Sequence, residues 1–140
     1  MVSRLRAKQG GAEIPVVVGD MATTRVEGPF SLVYLAFNTI NNLTSQEAQV
    51  ACFLNAAAHL EPGGHFLIEV GVPPLQRLPL GETILAFDRS ETHWGIDEYD
   101  VVTQNFSSHH AWFRDGSYRQ FLVPFRFASS GIRSYGAWPA

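Results

Sequence analysis

The apolar positions change their spacing along the chain, and the changes mark out the elements. Residues 14–18 form a short, nearly unbroken β-branched run that stops at Gly19-Asp20. Such a run predicts a strand buried on both faces, as in a parallel sheet. A second apolar run covers residues 30–37, opens after the turn signal Gly28-Pro29 and ends at Asn38. The period then becomes helical: Val50, Phe53, Leu54, Ala57 and Leu60 fall on one face. Thr44 and Glu47 stand at capping-box spacing before it. Glu61-Pro62-Gly63-Gly64 ends the helix, because proline cannot continue it and glycine tolerates positive φ. Residues 66–70 predict a third buried strand. Residues 30–70 thus predict strand, helix, strand, with a right-handed crossover. Near the start, residues 3–8 predict the last turns of a helix, ended by Gly10 and Gly11.

After Pro73-Pro74 the character changes. Residues 82–127 are richer in polar and aromatic side chains and carry no helical period. Residues 99–113 and 118–127 predict two strands, joined by Arg114-Asp115-Gly116-Ser117, a hairpin signal. The expected organisation is an α/β part over residues 1–74 and an antiparallel part over residues 75–127. Residues 128–140 follow neither pattern and read as an irregular tail translated out of frame.

Composition narrows the function classes. Ten Lys and Arg stand against 13 Asp and Glu, a formal charge of −3, with no block of like charges. That argues against nucleic acid as the partner. Cys52 is the single cysteine, so neither a disulfide framework nor a cysteine-rich zinc site is available, and a reducing cytoplasm is expected. No apolar stretch reaches the length of a membrane span, so no membrane partner is expected. His59, His65 and His93 show no metal-ligand spacing with carboxylates, so no metal is expected.

Three motifs bear on chemistry. Gly19-Asp20-Met21 closes a predicted strand, and in open α/β sheets ligands bind beyond the carboxyl ends of strands. A carboxylate there can accept a hydrogen bond from an adenine amino group, or simply cap a turn. Phe37-Asn38-Thr39-Ile40-Asn41-Asn42 follows the second strand, where its amides either line a pocket or serve turn chemistry. Leu60-Glu61-Pro62-Gly63-Gly64 before a strand is the most specific of the three. In their order and spacing, Gly19-Asp20-Met21, Phe30-Ser31-Leu32-Val33, the helix, residues 60–64 and residues 66–70 resemble the class I S-adenosylmethionine-dependent methyltransferases. The match covers roughly residues 3–72. Residues 82–127 resemble more loosely the antiparallel insert of small-molecule methyltransferases, such as those acting on sugar amines.

The resemblance implies an α/β fold: a partial Rossmann-like methyltransferase sheet followed by an antiparallel β insert. It implies S-adenosylmethionine as cofactor, held by Asp20, Met21, Phe37 and Asn38, and a small-molecule methyl acceptor. The sulfonium carries the activation, so the protein mainly aligns the nucleophile and in some members removes a proton. His109 and His110 are the candidates for proton removal, and alternation along a strand sends them to opposite faces, so at most one meets a pocket.

The same resemblance implies two losses. The family's Gly-rich loop after its first strand, and the acidic residue after its second, have no counterpart in this sequence. Those two strands lie between the third and fourth in the family's sheet, so residues 14–18 and 30–37 lack their shared neighbours. Two readings follow. One is a truncated small-molecule methyltransferase that is weakly active or inactive. The other is a non-catalytic binding or dimerisation module derived from such an enzyme, in which a homo-oligomer is a natural state.

Overall fold

The computed structural model describes residues 1–127, and the expected out-of-frame tail lies outside them. The chain opens with a short helix, α1 (Val2–Arg6). The Arg6 guanidinium donates to the carbonyls of Gly11, Ala12 and Ile14 at 2.7–2.9 Å and so gathers the segment behind the helix.

The strand expected at residues 14–18 does not form. Val17 is 61% and Val18 84% exposed. β-Branched composition favours extended backbone, but a strand also needs a neighbour to take its N–H and C=O groups. None lies beside this segment among the described residues.

The expected strand–helix–strand unit is present. It runs from β1 (Phe30–Leu35) through α2 (Gln46–Ala57) to β2 (Leu60–Ile68), with β1 and β2 parallel. The glycine turn expected to precede the strand is instead absorbed into β2. Phe30 pairs with Leu60 and Leu32 with His65, so residues 61–64 bulge out of register, with Gly63 at φ 84°. The other edge of β1 carries no strand among the described residues.

The cap of α2 is Ser45 rather than Thr44: its Oγ accepts the Ala48 N–H at 3.1 Å. The buried stripe also differs from the expected one. Cys52, Asn55 and Ala56 face inward, while Val50, Phe53 and Leu54 are exposed. Apolar residues surround most of α2, so periodicity alone cannot choose a face. The choice is made by residues 20–24, whose Met21 and Thr24 carbonyls accept from Asn55 Nδ2 at 2.9 and 3.0 Å. A small core of Ala22, Ile40 and Cys52 results, with Met21, Leu35, Leu43, Ala51 and Ile68 packed against it.

The second half is a four-stranded antiparallel sheet in sequential order: β3 (Ile84–Arg89), β4 (His93–Asp100), β5 (Asn105–Arg114) and β6 (Ser117–Arg126). The single strand expected over residues 99–113 is broken at residues 101–104. Asp100 Oδ1 accepts the N–H groups of Val102 and Thr103, and Gln104 turns to φ 62°. This is Asx-turn chemistry that outweighs the local β-propensity. The Asp115-Gly116 hairpin forms as expected, with φ of 48° and 70°. The two halves meet where the turn Thr39–Asn42 packs on β6 and Gln49 Nε2 donates to the Arg126 carbonyl at 3.4 Å. Among the described residues no helix is long and apolar enough to cross a membrane.

Candidate functional site

Period-2 alternation gives the antiparallel sheet one polar-aromatic face. His93, Gly95, Asp97 and Tyr99 of β4 lie opposite Trp112, His110, Ser108 and Phe106 of β5. A register irregularity between Ala86 and Asp88 sets Asp88 of β3 opposite Gly95. Five hydrogen bonds then connect six side chains. Asp88 Oδ2 lies 2.5 Å from His93 Nδ1, and His93 Nε2 lies 2.9 Å from His110 Nδ1. His110 Nε2 is 3.3 Å from Ser108 Oγ, which donates to Asp97 Oδ1 at 2.7 Å. The Tyr99 hydroxyl donates to Asp97 Oδ2 at 3.2 Å.

Rings hold the row in place. His110 stacks on Phe121 with centroids 4.8 Å apart, His93 stacks on Trp112 at 4.1 Å, and Phe87 meets His110 edge-on at 5.5 Å. Burial, followed by the neighbouring His93, holds the His110 imidazolium below its ordinary range, and the Asp97 charge opposes this only in part. Neutral His110 is therefore the resting form at neutral pH and keeps one nitrogen free to accept a proton. Burial, the Asp97 charge and their hydrogen bond push the Tyr99 phenol up to about 12, so Tyr99 remains a donor.

A cavity of about 300 Å³ separates this face from the turn after β1. Phe37, Asn38 and Asn41 line one side, with Asp97, Phe106 and Ser108 on the other. Asn41 Oδ1 is buried and has no hydrogen-bond partner among the described residues. The turn is held from β2: Glu69 Oε2 accepts the Phe37 N–H at 2.9 Å, the Glu69 carbonyl accepts the Asn38 N–H at 3.2 Å, and Asn38 Oδ1 accepts the Gly71 N–H. Phe37 and Asn38 both adopt positive φ, 57° and 54°, and these contacts sustain that conformation.

The six residues singled out in the sequence therefore separate. Phe37 and Asn38 line the cavity. Asp20 and Met21 do not: Asp20 Oδ1 accepts the Ala22 N–H at 2.7 Å, and Met21 lines a second, apolar trough of about 350 Å³ along β1 and α2. His110 lies one side chain behind the cavity wall. His109 points to the opposite face, its Nε2 3.3 Å from Glu98 Oε2. Sequence reasoning passed over Asp88, Asp97 and Ser108, and weighed His93 only as a metal ligand. A usable signal was the alternation His93, Gly95, Asp97, Tyr99, which becomes visible once residues 93–100 are recognised as a strand. Among the described residues no group of three His, Cys, Asp or Glu side chains is placed to hold a metal ion.

No family model and no curated protein matches the chain. Solved structures do. The chain is similar to the CcbJ methyltransferase from Streptomyces caelestis, with 31% identity and a TM-score of 0.74, covering 90% of this chain and 52% of that one. The chain has the fold of an S-adenosylmethionine-dependent methyltransferase. Two further methyltransferases share the fold. One is an S-adenosylmethionine-dependent methyltransferase from Clostridium acetobutylicum, at 18% identity and a TM-score of 0.60, covering 81% of this chain and 48% of that one. The other is CalS10, an amino pentose methyltransferase from Micromonospora echinaspora, at 19% and 0.56, covering 80% and 50%. The chain spans about half the length of the solved structures that it matches.

The methyltransferase fold raises the question of which residues suit S-adenosylmethionine. Asp20 fits an adenine contact in part: it is exposed, and Oδ2 makes no hydrogen bond among the described residues. The Phe37 and Asn38 amides are already taken by Glu69. The glycines at positive φ are Gly10, Gly63, Gly81 and Gly116, and none follows the carboxyl end of β1 or β2. Among the described residues, Asp20 thus keeps one free carboxylate oxygen, and no glycine of positive φ follows a strand of the parallel pair.

Proposed function

We propose that this chain forms the acceptor-side part of a small-molecule methyltransferase site, with the methyl acceptor in the cavity between the 37–42 turn and the antiparallel sheet. The grouping of Asn41, Ser108 and Asp97 around that cavity, with Asn41 Oδ1 buried and unpartnered among the described residues, carries the reading. A buried acceptor atom without a donor is costly, and a ligand N–H or O–H relieves the cost. All three groups can accept hydrogen bonds, which favours an amine or hydroxyl compound. CalS10, which shares the fold, is an amino pentose methyltransferase.

His110 is the proton acceptor in this reading, acting through the Ser108 hydroxyl. That hydroxyl can turn its hydrogen from Asp97 to His110 Nε2 while taking the acceptor's proton. His109, paired with Glu98 on the other face, has no part in turnover. S-adenosylmethionine, when bound, supplies the electrophilic methyl group, and Asp20, Met21, Phe37 and Asn38 are its contacts on this chain. With no glycine loop for the methionine end among the described residues, the chain binds the cofactor weakly or not at all, since each missing polar contact removes about 1–3 kcal/mol. Calorimetry on the purified chain is expected to give no saturable heat at micromolar S-adenosylmethionine, and micromolar binding would overturn that part. An amino sugar added to the ¹⁵N-labelled chain is expected to shift the Asn41 side-chain amide and the His110 signals. Shifts confined to the trough along β1 would remove the cavity as the acceptor site.

A second reading, a binding or dimerisation module, draws on a different observation. Leu32, Tyr34 and Leu67 form an exposed apolar face on the two-stranded sheet, beside the open edge of β1. A second copy of the chain can cover that face, and the fold would then serve assembly rather than turnover.

A further inference from the structure

The hydrogen-bonded row beyond His110 continues away from the cavity. Asp88 Oδ2 sits on His93 Nδ1 at 2.5 Å. A carboxylate only accepts, so the proton of this pair belongs to His93 Nδ1. In a neutral imidazole the other nitrogen, Nε2, is then an acceptor. His93 Nε2 faces His110 Nδ1 at 2.9 Å, and two lone pairs cannot share that distance. The proton between them is therefore on His110 Nδ1. His110 Nε2 is left with its lone pair 3.3 Å from Ser108 Oγ, whose single hydrogen can turn from Asp97 Oδ1 to meet it.

We propose that Asp88 and His93 are positioning residues that lock His110 in its Nδ1–H tautomer and present the Nε2 lone pair to the cavity wall. The proposal rests on the reading of His110 as proton acceptor. Asp88 and His93 reach the cavity through His110 alone, as neither lines it. When His110 takes a proton at Nε2, its Nδ1–H continues to donate to His93, whose own Nδ1–H remains on the Asp88 carboxylate. The row of donors that ends on the Asp88 carboxylate thus stays intact through the transfer, without any rearrangement.

The groups facing His110 are few. His93 and Asp97 come from β4, Asp88 from β3 and Ser108 from β5, while β6 contributes Phe121 opposite, with Arg119 two residues along. The lowered imidazolium range of His110 agrees with a ring kept neutral and ready.

Long-range ¹H–¹⁵N correlation spectra of the labelled chain read tautomers directly. The expected result at neutral pH is protonated Nδ1 and bare Nε2 on both His93 and His110. Asp88→Asn places an amide that can donate to His93 Nδ1, which reverses both rings. The expected signature is a His110 population shifted from Nδ1–H towards Nε2–H, with its titration moved to lower pH. Asp88→Glu is expected to restore the native pattern. Glu98→Gln, on the opposite face, is expected to alter His109 alone. A native spectrum with His110 protonated at Nε2 overturns the proposal, as does an Asp88→Asn spectrum with His110 unchanged. If that variant does not fold, the native spectrum decides by itself. The amino-sugar titration tests the acceptor site independently, so a failed tautomer lock and a failed binding site give different results.

Discussion

Gly95 shows how a single backbone position governs the candidate site. A Cβ built there would lie 2.2 Å from Phe87 Cε2, far inside van der Waals contact. The Phe87 ring occupies the space that a side chain would take, and from there it braces both His93 and His110. Gly95→Ala forces that ring away and disturbs the row of hydrogen bonds behind it. Overpacking of this kind costs about 1–3 kcal/mol, read as a lower urea midpoint, with the His110 resonances displaced in the same sample. Gly116, by contrast, needs glycine for its φ of 70° rather than for space, and alanine there would strain the hairpin while sparing the histidines.

The elements show where sequence patterns were decisive and where they were not. Ser45→Ala removes the side chain that caps α2 and is expected to cost about 1 kcal/mol, whereas Thr44→Ala is expected to lie within measurement error; paired urea melts compare them. The strand–helix–strand unit was legible because its signals are local: an apolar run, a helical period and a glycine turn. The Asp115-Gly116 hairpin was legible for the same reason. Residues 14–18 misled because their composition describes a strand, while strand formation depends on a neighbour elsewhere in the chain. The strand boundary at Asp100 was hidden by a side chain that bonds its own backbone. Of the candidate site, Phe37, Asn38 and His110 were within reach because they follow a strand end or are chemically conspicuous. Asp88 was not, because its place beside His93 depends on the register irregularity in β3, which no residue pattern announces. Asp20 illustrates a third case: its place after the run at 14–18 drew attention to it, yet one of its carboxylate oxygens serves the turn.

At the scale of the whole molecule, the most informative feature is what the two-stranded sheet leaves bare. Only Val33, Leu35, Phe66 and Ile68 of that sheet are turned towards α2 and the small core, and no large side chain of the described residues is completely buried. Leu32, Tyr34 and Leu67 lie open on the other side, next to the free edge of β1. That edge is a row of backbone donors and acceptors awaiting an extended chain, and its register is already set by the pairing with β2. Nothing in the geometry requires the incoming strand to be covalently attached. A strand from a separate polypeptide can therefore complete this sheet as readily as one from the same chain. Mixing the chain with a separately expressed fragment of CcbJ that spans the part outside the match is expected to yield a one-to-one particle by light scattering and to bring S-adenosylmethionine binding into the measurable range. If the pieces remain apart at tens of micromolar, the edge of β1 has no affinity for a foreign strand, and division of labour between two polypeptides is not open to this fold.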